Sequence, residues 1–211
     1  MTAGLNRLFR VRKAHLKAAA STLTQAFQDE PLWIHFIPDA SKRKEKVHYM
    51  FEFVVRYGIT YGEVYATSPA MEGVLAWVPS ARAEMTLGRQ MRCGVIPLAL
   101  RMGIKLALRQ IPSSNYMRAA HERLAPFQHA YLLIIGIAPQ LQGQGYASGL
   151  LRPLFKKLDR ENLPCFLETH RDENIPIYQH YGFQILEETI FPGSKVKNVA
   201  MLRPPCDEEE E

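Results

Sequence analysis

The run Leu133-Ile134-Ile135-Gly136-Ile137-Ala138-Pro139-Gln140-Leu141-Gln142-Gly143-Gln144-Gly145-Tyr146, leading into Ala147, decides how this chain is read. An apolar strand stops at a Pro, a glycine loop follows, and an amphipathic segment starts at once. A loop that turns directly into a helix leaves several backbone N–H groups without intrahelical partners at one point. The helix dipole adds partial positive charge there. Together they make a cradle for a diphosphate. Glycines let such a ligand approach closely, because no Cβ intervenes. The run is neither a Walker loop nor a dinucleotide fingerprint. No Lys-Ser/Thr pair follows the last glycine, and the spacing is not GxGxxG. An ordinary glycine-rich strand-to-helix turn is the plain alternative.

Working outward, the helix after the loop extends to about Glu161. Pro153 lies two turns into it, which predicts a kink or a restart near Gly149. Pro164 to Thr169 reads as the next strand and Asn174 to Tyr181 as a helix. Phe183 to Ile190 and Val196 to Leu202 close the sheet. Upstream, Leu8 to Arg12 is a short opening strand, and Ala14 to Phe27 has helical spacing. A second helix is expected from a Ser41 cap, with Glu45 near the capping-box position, through Tyr57. Glu63 to Thr67 and Gly73 to Val78 make a hairpin pair. Glu84 to Ala125, interrupted by Gly94, Pro97, Gly103 and Pro112, reads as two or three short helices. This pattern predicts an α/β (α+β) fold of one domain. Its sheet is mixed and twisted, has six to seven strands, carries helices on both faces and splays between the two central strands. Residues 1–130 form an acceptor-binding half and residues 131–203 a cofactor-binding half, and the acidic residues at 204–211 are an expected disordered tail.

Composition narrows the class. Of 211 residues, 47% are hydrophobic, enough for a globular core. Cys93, Cys165 and Cys206 show no CxxC pairing, so neither a disulfide framework nor a metal site is expected, and a reducing, cytoplasmic setting suits them. No signal peptide is evident after Met1, and no long uncharged stretch suggests a membrane span. Net charge is +5, and between Arg82 and Arg123 eight Lys or Arg stand against two Glu. With no nucleic-acid motif beside it, that excess is read as a solvated helix face, so neither nucleic acid nor membrane is expected as a partner.

A second signal follows the loop by about thirty residues: Asn174-Ile175-Pro176-Ile177-Tyr178, then Tyr181-Gly182-Phe183. Asn174 and Tyr178 are four apart and share a helix face. An Asn amide can hold both a carbonyl and an N–H. A Tyr phenol is a proton donor at neutral pH. Period-two alternation puts Phe166, Glu168 and His170 on one strand face and Cys165 on the other. Glu168 is a candidate base, with electrostatic attraction of a cationic acceptor or a structural role as alternatives. His170 and His129 are further candidates.

Gln142-Gly143-Gln144-Gly145-Tyr146-Ala147 resembles the acetyl-CoA loop of the GNAT acyltransferases, Gln/Arg-x-x-Gly-x-Gly/Ala. The Asn174–Tyr178 helix in the same order strengthens the resemblance, which covers Leu132 to Phe183. Ala26-Phe27, Ile37-Pro38-Asp39, Leu75-Ala76-Trp77, Cys165-Phe166-Leu167-Glu168-Thr169 and Pro153 look like the puromycin N-acetyltransferase-like branch. The N-terminal half matches only loosely. The resemblance implies acetyl-CoA as cofactor and direct attack by a small-molecule primary amine in a ternary complex. It implies that main-chain groups of Ile135 and Ile137 pair with the pantetheine, with Gly136 between them in the cofactor site, and that the N–H of Ile137 or one near it is the oxyanion donor. It further implies that N–H groups from Gln142 to Ala147 bind the diphosphate, that Asn174 helps hold the pantetheine and that Tyr178 protonates the thiolate. Trp33, Phe36, Phe51 and Tyr57, with parts of the Glu84 to Ile111 helices, are expected to wall the acceptor pocket, alongside Glu168 and His170. Peptide or protein N-acetylation, or a non-catalytic CoA-binding regulatory module, are the competing readings, and a homodimer is left open.

Overall fold

The computed structural model describes residues 5–206; the acidic run from Asp207 lies outside the described residues. In chain order the elements are β1 (Phe9–Arg10), α1 (Leu16–Phe27), α2 (Pro31–Phe36), α3 (Ala40–Tyr61), β2 (Glu63–Ala66) and β3 (Gly73–Pro79). Then come α4 (Leu87–Arg92), α5 (Val95–Met102), α6 (Ile104–Leu124), β4 (Ala130–Ile137) and α7 (Tyr146–Arg160). The chain closes with β5 (Cys165–Thr169), α8 (Asn174–His180), β6 (Gln184–Ile190) and β7 (Lys197–Arg203). The seven strands form one mixed sheet in the order β1-β2-β3-β4-β5-β7-β6.

The sheet opens at its centre. β4 and β5 are its parallel pair, and they match only at Ala130↔Cys165 and Tyr131↔Phe166. Beyond Tyr131 the remaining residues of β4 have no partner strand on that side among the described residues. On the other side β4 stays paired with β3 as far as Gly73↔Ile137. The β3–β4 register slips between Ala76↔Ile134 and Trp77↔Leu132, leaving Leu133 as an extra residue in β4. This bulge puts Leu133 and Ile134 on the same face, against α1 and α3.

α1 and α3 cover one face through Leu23, Val47 and Val55, packed on Val64, Val74 and Ala76. α7 covers the other through Leu150, Leu151, Leu154 and Leu158, packed on Leu75, Leu132, Leu167 and Met201. The end of α6 lies on the first face, where Ala125 meets Phe166 and Ala200. Gly136 has a packing reason to lack a side chain: a Cβ there would sit 2.7 Å from Phe27 and 2.9 Å from Leu23 of α1. Arg43 is buried and ties the α1–α2–α3 corner together. It donates to the carbonyls of Gln28, Ile37 and Pro38 and to Asp29 Oδ1.

Three local expectations need correction. α3 is capped by Asp39, whose carboxylate accepts from Ser41 N–H at 3.0 Å, and it runs on through Gly58 to Tyr61. A Cβ at Gly58 would meet Val64 at 2.8 Å, so glycine here permits close helix–sheet contact and does not end the helix. Chain breaks fall at Gly94 and Gly103, both at positive φ, while Pro97 and Pro112 stay inside helices. Pro97 occupies the first turn of α5, where its missing N–H has no intrahelical partner to lose. α7 likewise passes through Pro153 without restarting, and Gly149 N–H still donates to Gly145 O at 3.0 Å.

Candidate active site

The gap between β4 and β5 continues into a cleft of ≈ 680 Å³. Its floor is the open edge of β4. Ala138 N–H donates to Glu72 O at 2.9 Å on the β3 side. Main-chain groups alternate sides along a strand, so those of Ile137 and Ile135 turn to the open side. Gln142 Nε2 donates to Ile137 O at 3.2 Å and pins the loop against the strand end.

The loop then reverses direction through two left-handed glycines, Gly143 at φ +76 and Gly145 at φ +84. Apart from the adjoining residues, no atom of the described residues lies within 4 Å of where a Cβ would stand at either one. This is open space at a helix N-terminus, and among the described residues lining the cleft there is no Lys or Arg. Gly145 caps α7, whose first residues are Tyr146 and Ala147. The residues present fit an acyl-CoA: the N–H groups of this turn could hold a diphosphate, and the open edge of β4 could pair with an extended amide-bearing arm. Gln142, Gly143, Gly145, Tyr146 and Ala147 all line the cleft. The Gln144 side chain does not; its Nε2 donates to Gln140 O at 3.2 Å.

Two protic residues reach the cleft from opposite faces of the sheet. Tyr178 of α8 packs with the α7-side core, its ring edge-on to Phe183 at 5.6 Å. Burial, with smaller contributions from Cys165 and Glu30, holds its phenol above the ordinary tyrosine range. Asn174, a turn earlier, donates from Nδ2 to Thr169 Oγ1 at 3.1 Å and lines the cleft too. Glu168 of β5 lies on the α6 side. Its Oε2 accepts from Tyr131 O–H at 2.6 Å and its Oε1 from Asn198 Nδ2 at 2.9 Å. Burial raises the Glu168 pKa, and both hydrogen bonds pull it back down.

Cys165 sits among the α7-side residues, away from Glu168, and burial pushes its thiol up to about 12. A thiol held protonated is a poor nucleophile. His170 does line the cleft, with its ring 5.3 Å from Phe191, and burial lowers its pKa to about 4. His129 is a correction. It is 1% exposed and paired with His121, Nε2 to Nε2 at 2.7 Å, and it is not among the residues lining the cleft.

The far end of the cleft is aromatic. Trp33 of α2 meets Phe51 of α3 edge-on at 6.1 Å, and Phe36 joins them in the lining. α6 adds Gln110, Ser113 and Met117. Tyr57 does not take part. It is fully buried, and its O–H donates to Arg82 O at 2.6 Å, so it clamps the start of the α4 segment. One helical turn nearer the cleft, Phe53 takes the place expected of it.

Sequence reasoning missed Glu30, Tyr131 and Asn198. Glu30 follows α1, is 8% exposed, lines the cleft and is ion-paired to Arg171 Nε at 2.6 Å. Its Glu-Pro position at the start of α2 was the available signal. Tyr131 and Asn198 carry no motif; only the cross-strand register brings them to Glu168.

The splayed seven-stranded sheet with its glycine cradle is the fold seen in acetyltransferases, and residues 111–183 match the model of the acetyltransferase (GNAT) family. Among curated proteins, an uncharacterised N-acetyltransferase of Schizosaccharomyces pombe is 28% identical over 205 residues, covering 93% of this chain and 82% of the relative. Among solved structures, histone acetyltransferase HPA2 and related acetyltransferase from Corynebacterium glutamicum has a TM-score of 0.65 at 19% identity, covering 96% of this chain and 98% of that one. The polyamine N-acetyltransferase of Drosophila melanogaster, which forms N-acetylagmatine, has a TM-score of 0.56 at 13% identity, covering 93% and 98%. Likeness to structures at such identities carries the fold alone.

Proposed function

We propose that this chain acetylates the primary amine of a small molecule, by direct attack within a ternary complex with acetyl-CoA. The observation that carries the reading is the placement of Tyr178 and Glu168 on opposite faces of one gap in the sheet. Proton removal from an amine and proton delivery to a leaving thiolate then occur on opposite sides of the reacting carbonyl carbon. Acetyl-CoA supplies an activated acetyl thioester there. Ile135 and Ile137 offer main-chain groups along β4, and the Ile137 N–H is aimed to polarise the carbonyl under attack. Glu168 takes the amine proton, directly or through water, and Tyr131 and Asn198 orient its carboxylate. Tyr178, kept protonated by burial, gives its proton to sulfur.

The aromatic wall of Trp33, Phe36 and Phe51 favours an acceptor with an apolar or aromatic body. Residues 1–130 thus serve the acceptor and 131–203 the cofactor. The Cys165–Thr169 run and the Pro within α7 support a place in the puromycin N-acetyltransferase-like branch. Three free cysteines support a cytoplasmic setting. Among the described residues no helix is long and apolar enough to cross a membrane.

The test is thiol release from acetyl-CoA across a panel of small primary amines and short peptides. The proposal expects turnover with one or more small amines, fastest for those with an aromatic or aliphatic body. Turnover confined to peptide N-termini would move the assignment to peptide acetylation. Acetyl-CoA binding without release for any acceptor would favour a regulatory module.

A further inference from the structure

The outer side of α4, α5 and α6 holds large aliphatic side chains in water. Leu87 is 73% exposed, Leu100 66%, Ile104 60% and Leu108 59%; Met91, Ile96 and Ile111 are exposed as well. These helices bury a different set: Leu98, Met102 and Leu106 pack inward against the α1–α3 core. In α5 the inward pair Leu98 and Met102 and the outward pair Ile96 and Leu100 are offset by two residues, about 200° around the helix. In α6, Leu106 stands in the same relation to Ile104 and Leu108. The two helices are therefore apolar on opposite faces, whereas a surface helix normally has one apolar stripe and a polar back.

The charges between these side chains have one sign. From Leu87 to Ile111 there are five cations and no Asp or Glu. Arg101 approaches Glu52 of α3 at 3.9 Å, and Arg89 lies over the Tyr61 ring. Arg92, Lys105 and Arg109 are exposed and take part in no ion pair among the described residues.

We infer that this face seats on the surface of an anionic lipid bilayer. The aliphatic side chains enter the headgroup boundary, and the cations meet lipid phosphates and carboxylates. The seating is peripheral and no helix spans. A second copy of this chain is the poorer occupant, because a two-fold contact would set the same five cations against themselves. Nucleic acid is poorer too, since the exposed apolar residues between Leu87 and Ile111 include no aromatic ring for base stacking. The inner side of α6 contributes Gln110, Ser113 and Met117 to the cleft. Seating therefore brings the acceptor end of the cleft within one helix diameter of lipid, about 10 Å.

The test is co-sedimentation of the full chain with phosphatidylcholine–phosphatidylserine vesicles against phosphatidylcholine alone. Binding is expected to the mixed vesicles at low salt and to weaken as salt rises. A cation near an anionic surface is worth roughly fivefold in partitioning, so Lys105→Gln with Arg109→Gln is expected to lower it by roughly 25-fold. Leu100→Glu and Leu108→Glu are each expected to lower it by about tenfold or more. All four side chains are exposed, so unchanged melting and acetyl-CoA affinity show that the variants are folded. No vesicle binding by the unaltered chain, equal binding to both vesicle types, or full binding by the two Leu variants overturns the inference. A dimer in analytical ultracentrifugation that Leu108→Glu abolishes, in a chain that ignores vesicles, overturns it in favour of a second copy. Binding to an acidic protein without binding to vesicles also overturns it.

Discussion

The phenol of Tyr131, the last β4 residue matched to β5, donates at 2.6 Å to Oε2 of Glu168, two residues beyond its cross-strand partner Phe166. The candidate base is therefore anchored at the vertex from which the sheet splays. With Asn198 on the other oxygen, the carboxylate has little freedom to rotate away. Burial raises the Glu168 pKa, and these two donors lower it. Removing a donor must raise it further. Tyr131→Phe is expected to move the acid limb of the kcat/KM profile to higher pH while leaving acetyl-CoA affinity intact. An acid limb that moves to lower pH, or stays put, would separate Tyr131 from the chemistry.

Glu168→Gln is expected to depress the rate most at low pH, where the amine is protonated and needs an acceptor for its proton. The deficit should shrink at high pH. Loss of general-base help is worth about 10²–10⁴-fold. A loss seen mainly as a raised KM that salt masks would make Glu168 an electrostatic attractor. A matching drop in melting temperature would make it structural.

Tyr178→Phe removes the phenol and keeps the ring that packs on Phe183. Binding of acetyl-CoA should persist, while turnover falls by about 10²–10⁴-fold. An unchanged turnover number, with chemistry shown to be rate-limiting, reassigns Tyr178 to packing.

Much of this site could be read from the chain because the cofactor half is local. The strand, the two left-handed glycines and the helix follow one another within about fifteen residues, and Asn174 and Tyr178 lie on one short helix. The acceptor half is assembled at long range. Alternation along β5 gave the face of Glu168, but Tyr131 and Asn198 reach it only through pairing between strands. Tyr57 was misplaced because aromatic content on a helix says nothing about which turn is covered, and the Arg82 carbonyl that holds it belongs to another element. Pro112 was read as a break, yet α6 loses only the bond to the exposed Leu108 turn and continues.

Gly145→Val places a β-branched residue at φ +84, a conformation that only glycine adopts readily. Its side chain would also enter the open space of the cradle. Calorimetry should show acetyl-CoA affinity falling by tenfold or more (about 1.4 kcal/mol per decade). Affinity equal to that of the unaltered chain would place the diphosphate elsewhere.

Acid stability should depend on the partly buried histidines. His121 is held at about 4 by burial and by His129, and His170 at about 4 by burial. Unfolding restores their ordinary values near 6.5, so the unfolded chain binds more protons between about pH 6.5 and 4. Stability is complete above that window and is lost as pH falls through it. Each 1 kcal/mol lost lowers Tm by about 2–4 °C in a chain of this size. His121→Gln should flatten this fall in a series of melting curves. An identical pH dependence in the variant would point to the carboxylates instead.

The most direct measurement of the central claim is intact-mass spectrometry of a single turnover. The enzyme is loaded with acetyl-CoA, sampled, and sampled again after an active amine is added. Direct transfer predicts an unmodified protein mass at both points, with N-acetylated amine and free CoA in equal amounts after mixing. A protein that gains an acetyl group before the amine arrives and loses it afterwards, or one that yields no acetylated amine at all, contradicts the account.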